Sequence, residues 1–189
     1  NVLYNFNSFA GFLSNPEVLY QSKLLSTTSV MITLVLPAII VDSVLYQSYS
    51  SNDKRLGILI SNNPSAPNPR FGYTGGIFMF SGLATDEVYL IKAEALARTG
   101  NHTEAMNVLN TLLQNRYDST FVPQTAGSAE EALSKILIER RKELIFRGLR
   151  WSDLRRLNKD GANIILRRIT PTGEYTLTPN HPKYVLPIP

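Results

Sequence analysis

The chain has 189 residues, which is enough for one ordinary globular domain with a buried core. Hydrophobic residues make up 43% and charged residues 18% of it, and this balance excludes an intrinsically disordered protein. The chain contains no cysteine, so disulfides, thiolate zinc sites and a cysteine nucleophile are excluded.

The net charge of +4 is concentrated in one segment of the chain. Residues 139–159 carry eight Lys or Arg and three acidic residues, a local charge of +5, so the rest of the chain sums to −1. The segment raises one question: its arginines either bind nucleic acid or an acidic membrane, or they hold helices together.

The first part of the chain, 1–82, is rich in Asn, Ser, Pro and Gly and is typical of loops. Its longest apolar run, 30–41, has 12 residues and contains Pro37. Spanning a bilayer takes about 20 apolar residues. Neither a basic leading region nor a cleavage site accompanies the run. We therefore interpret it as buried structure.

Two local structures are predicted in this first part. Pro37 suits the first turn of a short helix over 38–47. The apolar face of that helix would carry Ile40, Val41, Val44 and Leu45. Further on, "RFGY" and "IFMF" flank Gly75 and Gly76, a pattern that predicts a β-hairpin.

The pattern then becomes helical. A first helix starts near Thr85 and ends at Gly100, a residue type favoured just after a helix. A second helix follows at once, because Asn101 and Glu104 have the spacing of a capping box. Its apolar face consists of Ala105, Val108, Leu109, Leu112 and Leu113. The short joint predicts an antiparallel hairpin of about 34 residues, the length of a tetratricopeptide unit.

Two more helices and an extended tail are predicted beyond this hairpin. A third helix starts at the capping residue Ser128 and runs to about Arg147. A short fourth helix follows around Trp151, which we predict to be part of the core. The tail, 161–189, reads as short extended pieces broken by Pro and Gly.

The angular pattern of the third helix bears on the question of the arginines. At about 100° per residue, Arg140 and Arg147 fall inside its apolar stripe, whereas Arg141 points elsewhere. A helix that follows phosphates would align its basic residues on one exposed face. We therefore interpret the arginines as structural groups in a helix-packing layer.

A buried arginine needs an acidic partner, because an unpaired buried charge is costly. Helical spacing predicts the pairs Glu143 with Arg147 and Glu139 with Lys142. Glu94 or Asp153 are further candidates that could reach across helices.

Catalytic chemistry is not indicated by the sequence. The two histidines, His102 and His181, have no neighbouring Ser, Asp or His at the spacing of a triad or a metal site. No glycine-rich phosphate loop appears. We expect no enzyme activity, no cofactor and no metal.

Several segments, taken in order, resemble the SusD/RagB family. They are "NPEVLYQSK", "NDKRL", "DEVYLIKAEALARTGNHTEAMNVLNTLL", "ILIERRKELIFRGLRWSDLRRL" and "YTLTPNHPKYVLPIP". The most specific part runs from Glu139 to Arg156 and is followed by the terminal Pro-Ile-Pro. The chain departs from the family at Arg147, where an acidic residue is usual.

The resemblance implies an all-α fold of tetratricopeptide-like helical hairpins, with a loop-rich region and a few short strands. It implies a non-catalytic, nutrient-binding lipoprotein on the outer-membrane surface of a Gram-negative bacterium. Such proteins capture glycans, or in some members peptides, and deliver them to a SusC-like, TonB-dependent transporter. Family members are longer, so we expect this chain to be a fragment that lacks the N-terminal lipid anchor.

Within that frame the chain is expected to form one structural domain with three segments. Residues 1–82 would be the loop-rich, ligand-facing segment. Residues 83–160 would be the helical core, and residues 161–189 would be an extended tail packed on it.

Sugar binding needs flat aromatic faces that stack on pyranose rings and polar side chains that bond hydroxyls. The loop-rich segment offers both. The candidate ligand-binding residues are Tyr46, Tyr49, Asn52, Asp53, Arg70, Phe71 and Tyr73. The alternative for aromatic residues here is packing onto the helices, which we favour for Phe78 and Phe80. Two other functions stay open: a tetratricopeptide-like adaptor that binds a peptide, and a basic nucleic-acid-binding module, which the angular pattern disfavours.

Overall fold

The computed structural model describes residues 2–8, 15–21, 40–70, 80 and 82–185. These residues form mainly helices, with two small antiparallel strand pairs, which confirms the predicted fold class. The chain divides into two compact units, Asn1–Arg147 (unit 1) and Gly148–Pro189 (unit 2). The three functional segments expected from the sequence, with boundaries near 82 and 160, remain predictions.

Unit 1 combines short elements from the first part of the chain with three longer helices. In chain order its elements are a 3-10 turn (Phe6–Ser8), strand β1 (Val18–Gln21), helix α1 (Ser43–Gln47), an irregular helical turn (Arg55–Ile58), strand β2 (Gly82–Ala84), and helices α2 (Thr85–Arg98), α3 (His102–Leu113) and α4 (Ala129–Glu143). Strands β1 and β2 pair antiparallel, with Val18 opposite Ala84 and Gln21 opposite Gly82.

Helices α2 and α3 form the predicted hairpin. The chain turns at Gly100, whose φ of +88° lies in the left-handed region that glycine adopts without strain. Asn101 then caps α3, since its side-chain oxygen accepts a hydrogen bond from Glu104 N at 3.2 Å. All five predicted apolar positions of α3 are buried, and α2 packs against both α3 and α4.

Helix α4 starts at the predicted cap. The Ser128 hydroxyl accepts a hydrogen bond from Glu131 N at 3.2 Å, and Glu131 in turn accepts one from Gly127 N at 2.8 Å. We expect Ser128→Ala to lower the free energy of unfolding by about 1 kcal/mol, because one amide at the helix start loses its partner. Urea denaturation would measure this, with Ser128→Asp as the control that keeps an acceptor. Equal losses in both variants would contradict the capping role.

The predicted end of this helix is wrong. Helix α4 ends at Glu143, because Phe146 and Gly148 have φ values of +62° and +75°, a conformation that no α-helix continues through. Arg147 therefore does not extend the helix, although its side chain is only 4% exposed. The prediction that Arg147 points inward is right, but its reason, a position on the apolar stripe of the helix, is wrong.

The predicted start of the first helix is also wrong. Helix α1 begins at Ser43, because the Asp42 carboxylate accepts a hydrogen bond from Leu45 N at 2.9 Å and so caps the helix there. Of the predicted apolar face, Val41 and Leu45 are buried, but Ile40 and Val44 are exposed. The hairpin predicted around Gly75 and Gly76 lies outside the described residues.

The loops of unit 1 pack on an apolar cluster that we call the loop core. Its buried members are Phe6, Val41, Leu45, Tyr49, Leu59 and Ile60. A second, smaller cluster joins Phe80 to Ala84 and Val18. Phe80 is 4% exposed, which confirms that it packs inside; Phe78 lies outside the described residues.

Unit 2 contains helix α5 (Arg150–Lys159), strands β3 (Leu166–Thr170) and β4 (Gly173–Leu177), and a 3-10 turn (Pro182–Tyr184). The strands form an antiparallel hairpin in which Leu166 faces Leu177, so the tail is extended as predicted. Trp151 is half-buried and not full core: its ring lies 4.9 Å from that of Tyr184. No helix in the described part of the chain is long and apolar enough to cross a bilayer.

Candidate ligand-facing loops and the ion network beneath them

Arg55 is the central group beneath the loops of unit 1. Its side chain is fully buried, and its guanidinium donates to both oxygens of Asp53, at 2.8 and 2.7 Å. It also donates to Glu139 at 2.6 Å and to Glu143 at 3.1 Å. A buried cation is stable only when it is paired and hydrogen-bonded in this way. The contacts fix the loop around Asp53 to helix α4.

Arg116 is a second fully buried arginine, just after α3. Its Nε donates to Glu143 at 2.7 Å, and its Nη2 donates to both oxygens of Glu17, at 2.8 and 2.9 Å. Its Nη1 donates to the carbonyl oxygen of Tyr4 at 2.7 Å. Arg116 thereby joins the start of the chain to helix α4. Its partner on α4, Glu143, is shared with Arg55.

Lys142 completes the cluster from within α4. Its ammonium lies 2.9 Å from Asp53 and 3.0 Å from Glu139, and it donates to the Tyr117 hydroxyl at 2.9 Å. The Tyr49 hydroxyl donates to the backbone carbonyl of Lys142 at 2.8 Å. We call the following seven charged residues the ion network: Glu17, Asp53, Arg55, Arg116, Glu139, Lys142 and Glu143.

The network controls the charge states of its members. Burial alone would raise the pKa of Asp53, but Arg55 and Lys142 outweigh it and hold that pKa below its usual value. Burial and the neighbouring Arg55 both act to lower the pKa of Lys142, yet Glu139 and Asp53 raise it overall. These groups therefore stay ionised inside the protein.

Glu17 behaves differently. Burial raises its pKa from 4.5 to about 7, and although Arg116 opposes the shift, the nearby carboxylates of Asp86 and Glu143 reinforce it. Glu17 is thus a member of the network that releases its proton near neutral pH.

The basic residues of α4 and the turn that follows it are structural, as predicted. Arg147 donates to Asp86 on α2 at 3.1 Å, and its guanidinium lies 4.4 Å from the centre of the Phe80 ring. Arg140 lies 3.8 Å from Glu87, also on α2. These contacts cross the interface between α2 and α4. They leave no common exposed face for nucleic acid.

The predicted ion pairs are right in part. Glu139 does pair with Lys142, at 3.0 Å. The predicted pair of Glu143 with Arg147 does not form. Glu143 binds Arg55 and Arg116, and Arg147 lies beyond the end of helix α4, so the helical spacing no longer applies. Glu94 pairs with Arg98 at 2.9 Å and Asp153 with Arg156 at 2.8 Å, each on its own helix, and the expectation that these carboxylates also reach across helices stays a prediction.

Two of the predicted ligand residues lie inside the molecule. Tyr49 is 6% exposed and Asp53 is 2% exposed. The Tyr49 ring borders Lys142 and its hydroxyl is bonded to the backbone, while Asp53 is bonded to Arg55 and Lys142. Their side chains support the loop from within and present no face to a ligand in this structure.

Three other candidates reach the surface of unit 1. Tyr46 is half-buried and packs with one side against the loop core. Asn52 is partly exposed, and its amide donates to the Thr120 hydroxyl at 3.1 Å. Arg70 is exposed and donates to the carbonyl oxygen of Gly57 at 2.6 Å. Phe71 and Tyr73, the last two candidates, lie outside the described residues.

Sequence reasoning missed Arg116 and Glu17 altogether. They are 99 residues apart, and although Glu17 lies in the "NPEVLYQSK" segment that carries the family resemblance, nothing in the sequence indicates that it pairs with Arg116. Arg55 also lies in a segment that carries the family resemblance, "NDKRL". Its contacts with Glu139 and Glu143 show that two of the resembling segments meet in the folded chain.

The arrangement holds the loop on helix α4 through paired charges. In the described part of the chain, no cluster of His, Asp and Glu has the arrangement of a metal site. The carboxylates of the ion network are occupied by arginine and lysine. A fixed loop above a buried network is suited to holding surface side chains in place for binding.

Comparisons with known proteins agree with this picture. The model of the SusD family matches residues 85–189. A SusD-like protein, P38, of Formosa agariphila is 38% identical over 79 residues, which cover 39% of this chain and 16% of the relative. The chain thus spans less than a fifth of that protein.

A solved structure is similar over almost the whole chain. It is a SusD-like carbohydrate binding protein from Bacteroides vulgatus, with a TM-score of 0.60 and 21% sequence identity. The match covers 95% of this chain and 44% of that protein, and at this identity it shows a shared fold. The family match covers more than half of the sequence, from helix α2 through the hairpin of unit 2, and the chain therefore belongs to the SusD family.

Proposed function

We propose that this chain is part of a non-catalytic, cell-surface protein that binds glycans and passes them to a SusC-like, TonB-dependent transporter. Membership of the SusD family supports this function, and the solved protein of the same fold is described as carbohydrate binding. Attachment to the outer membrane through an N-terminal lipid belongs to the same proposal.

The observation that carries the proposal is the way the loops of unit 1 are held. The ion network fixes the segment around Asp53 and Arg55 to α4, so the neighbouring surface residues have a rigid base. Tyr46 supplies an aromatic face, and Asn52 and Arg70 supply hydrogen-bonding groups. With Phe71 and Tyr73, they are the side-chain types that stack on and bond to sugar rings.

Calorimetric titration of the full-length soluble protein with a panel of polysaccharides and peptides tests this function. We expect saturable binding to one glycan class. Tyr46→Ala and Tyr73→Ala should each weaken it by about three- to tenfold, because each loses a stacking ring. Tyr46→Phe should keep the affinity, since the ring remains.

A matched control is Tyr175→Ala, which removes an exposed tyrosine on β4 that is not a candidate ligand residue. It should leave binding unchanged. Glycan binding that is unaffected by both alanine variants of the loop tyrosines would place the site elsewhere in the protein. Binding of peptides with no binding of glycans would contradict the proposed ligand class.

A further inference from the structure

Unit 2 contains an open pocket of about 510 Å³, formed by residues of α5 and of the segment 180–185. This volume is within the range of small-molecule binding sites. Among the described residues, none of the ligand candidates identified from the sequence contributes to it. The proposed function above assigns no role to this pocket.

The described wall of the pocket is cationic. Ser152, Arg155 and Lys159 lie three and four residues apart, on one stripe of α5, with Arg156 beside them. No Asp or Glu belongs to this wall. Arg156 is bonded to Asp153 at 2.8 Å, whereas Arg155 and Lys159 are exposed and form no ion pair in the described part of the chain. Their positive charge is available to a ligand.

Tyr184 adds a buried donor to the same wall. It is 6% exposed, and its hydroxyl has no hydrogen-bond partner among the described residues. Its ring is held in place by Trp151, with ring centres 4.9 Å apart. A buried hydroxyl without a partner is unfavourable, so an acceptor bound in the pocket would stabilise this arrangement.

His181 supplies another donor. Its Nδ1 accepts a hydrogen bond from Lys183 N at 3.1 Å, so in the neutral ring the proton lies on Nε2. The pocket therefore presents a guanidinium, an ammonium, hydroxyls and an imidazole N–H. Such a set of donors, without acidic groups, fits an anion with several acceptor oxygens.

We propose that this pocket binds the carboxylate or sulfate group of an acidic sugar. The proposal rests on the proposed glycan-binding function and names a chemical class of glycan for it. Arg155 and Lys159 would attract and pair with the anionic group, and the Tyr184 hydroxyl would donate to one of its oxygens. Carboxylate and sulfate present the same chemistry to these donors, so the test includes both.

The test is calorimetric titration of the full-length soluble protein with three oligosaccharides of equal length: an oligogalacturonate, a sulfated galactan fragment and a neutral galactan fragment. We expect at least one acidic oligosaccharide to bind more tightly than the neutral one. The double variant Arg155→Gln/Lys159→Gln should weaken that binding at least tenfold, because two charge-assisted contacts are lost. Tyr184→Phe, which removes only the hydroxyl, should weaken it about tenfold.

The matched control is Lys92→Gln/Arg168→Gln, which removes the same charge from exposed positions on α2 and β3. It should leave the affinity for the acidic oligosaccharide unchanged. If both double variants weaken binding equally, general charge attraction explains it and the pocket site is refuted. Equal affinity for acidic and neutral oligosaccharides would refute it as well.

The same data separate this proposal from the function on which it rests. If the neutral oligosaccharide or another glycan binds and acidic sugars gain nothing, the pocket proposal fails while glycan binding stands. If no glycan binds at all, the proposed function itself fails. Selective loss of acidic-sugar binding in Arg155→Gln/Lys159→Gln, with neutral binding intact, would support both.

Discussion

Replacement of Arg55 by methionine should lower the free energy of unfolding by about 3–5 kcal/mol. The substitution removes the cation that contacts Asp53, Glu139 and Glu143 and leaves all three carboxylates buried. An uncompensated buried charge costs far more than a lost surface pair, and the remaining cations, Lys142 and Arg116, cannot occupy the same position. The loop around Asp53 should detach from α4 as a result.

Urea denaturation of the full chain and its variant would measure this effect. The control is Arg141→Met, which breaks the pair with Asp42, where the side chains are 32% and 55% exposed. That change should cost no more than about 1 kcal/mol, because water screens the pair. Similar losses for the two variants would show that Arg55 does not carry the network.

A second substitution tests the coupling directly. In the double variant Arg55→Met/Glu139→Gln, one of the carboxylates that lose Arg55 is neutralised, so the combined loss should be smaller than the sum of the two single losses. Strict additivity would contradict a direct interaction. The distance of 2.6 Å between the two side chains is the structural basis for this expectation.

The stability of the chain should also depend on pH through Glu17. Its pKa in the folded state is about 7, against 4.5 ordinarily, so between these values the folded chain holds a proton that the unfolded chain has released. The stabilisation from this group is complete below pH 4.5 and is lost as the pH rises through 7. Over this window the loss amounts to about 3 kcal/mol.

The measurement is the free energy of unfolding at pH 5, 6, 7 and 8 for the chain and for Glu17→Gln. Glutamine keeps a similar shape but does not titrate, so the difference between the two proteins should grow steadily from pH 5 to pH 7. Asp53, whose lowered pKa matters only in acid, titrates outside this window and is common to both. A difference that stays constant with pH would show that Glu17 does not exchange its proton there.

A stability that depends on pH through Glu17 would identify the contacts of Glu17 as pH-sensitive. Glu17 joins the start of the chain to Arg116, and Tyr4 N donates to Glu17 at 2.7 Å. Protonation would leave this amide contact in place and weaken the attraction to Arg116. We therefore expect the contact between Glu17 and Arg116 to be the part of the network that responds first to pH.

Much of the helical part of the fold followed from local patterns in the sequence. Asn101 and Ser128 were recognised as caps because a side-chain oxygen three residues before a free amide satisfies it within one turn. The apolar stripe of α3 was recognised because its period matches the helix. These features depend on residues that are close in sequence, so the sequence alone determines them.

The candidate ligand-binding residues were harder to predict from the sequence. Tyr46, Asn52 and Arg70 have suitable chemistry and reach the surface, and their role as ligand contacts remains a prediction. Tyr49 and Asp53 have the same chemistry but are buried. Composition could not separate the two groups, because whether a polar or aromatic side chain faces inward depends on which distant groups meet it.

The sequence by itself determined the helical hairpin, the mostly helical class and the structural role of the arginines. Only the tertiary structure decided the long-range partners of the buried charges: Arg55 with carboxylates 84 and 88 residues away, and Arg116 with Glu17 99 residues away. A single positive φ at Phe146 moved Arg147 off the helix and toward Asp86. Long-range ion pairing is fixed by packing in three dimensions, and no periodicity along the chain encodes it.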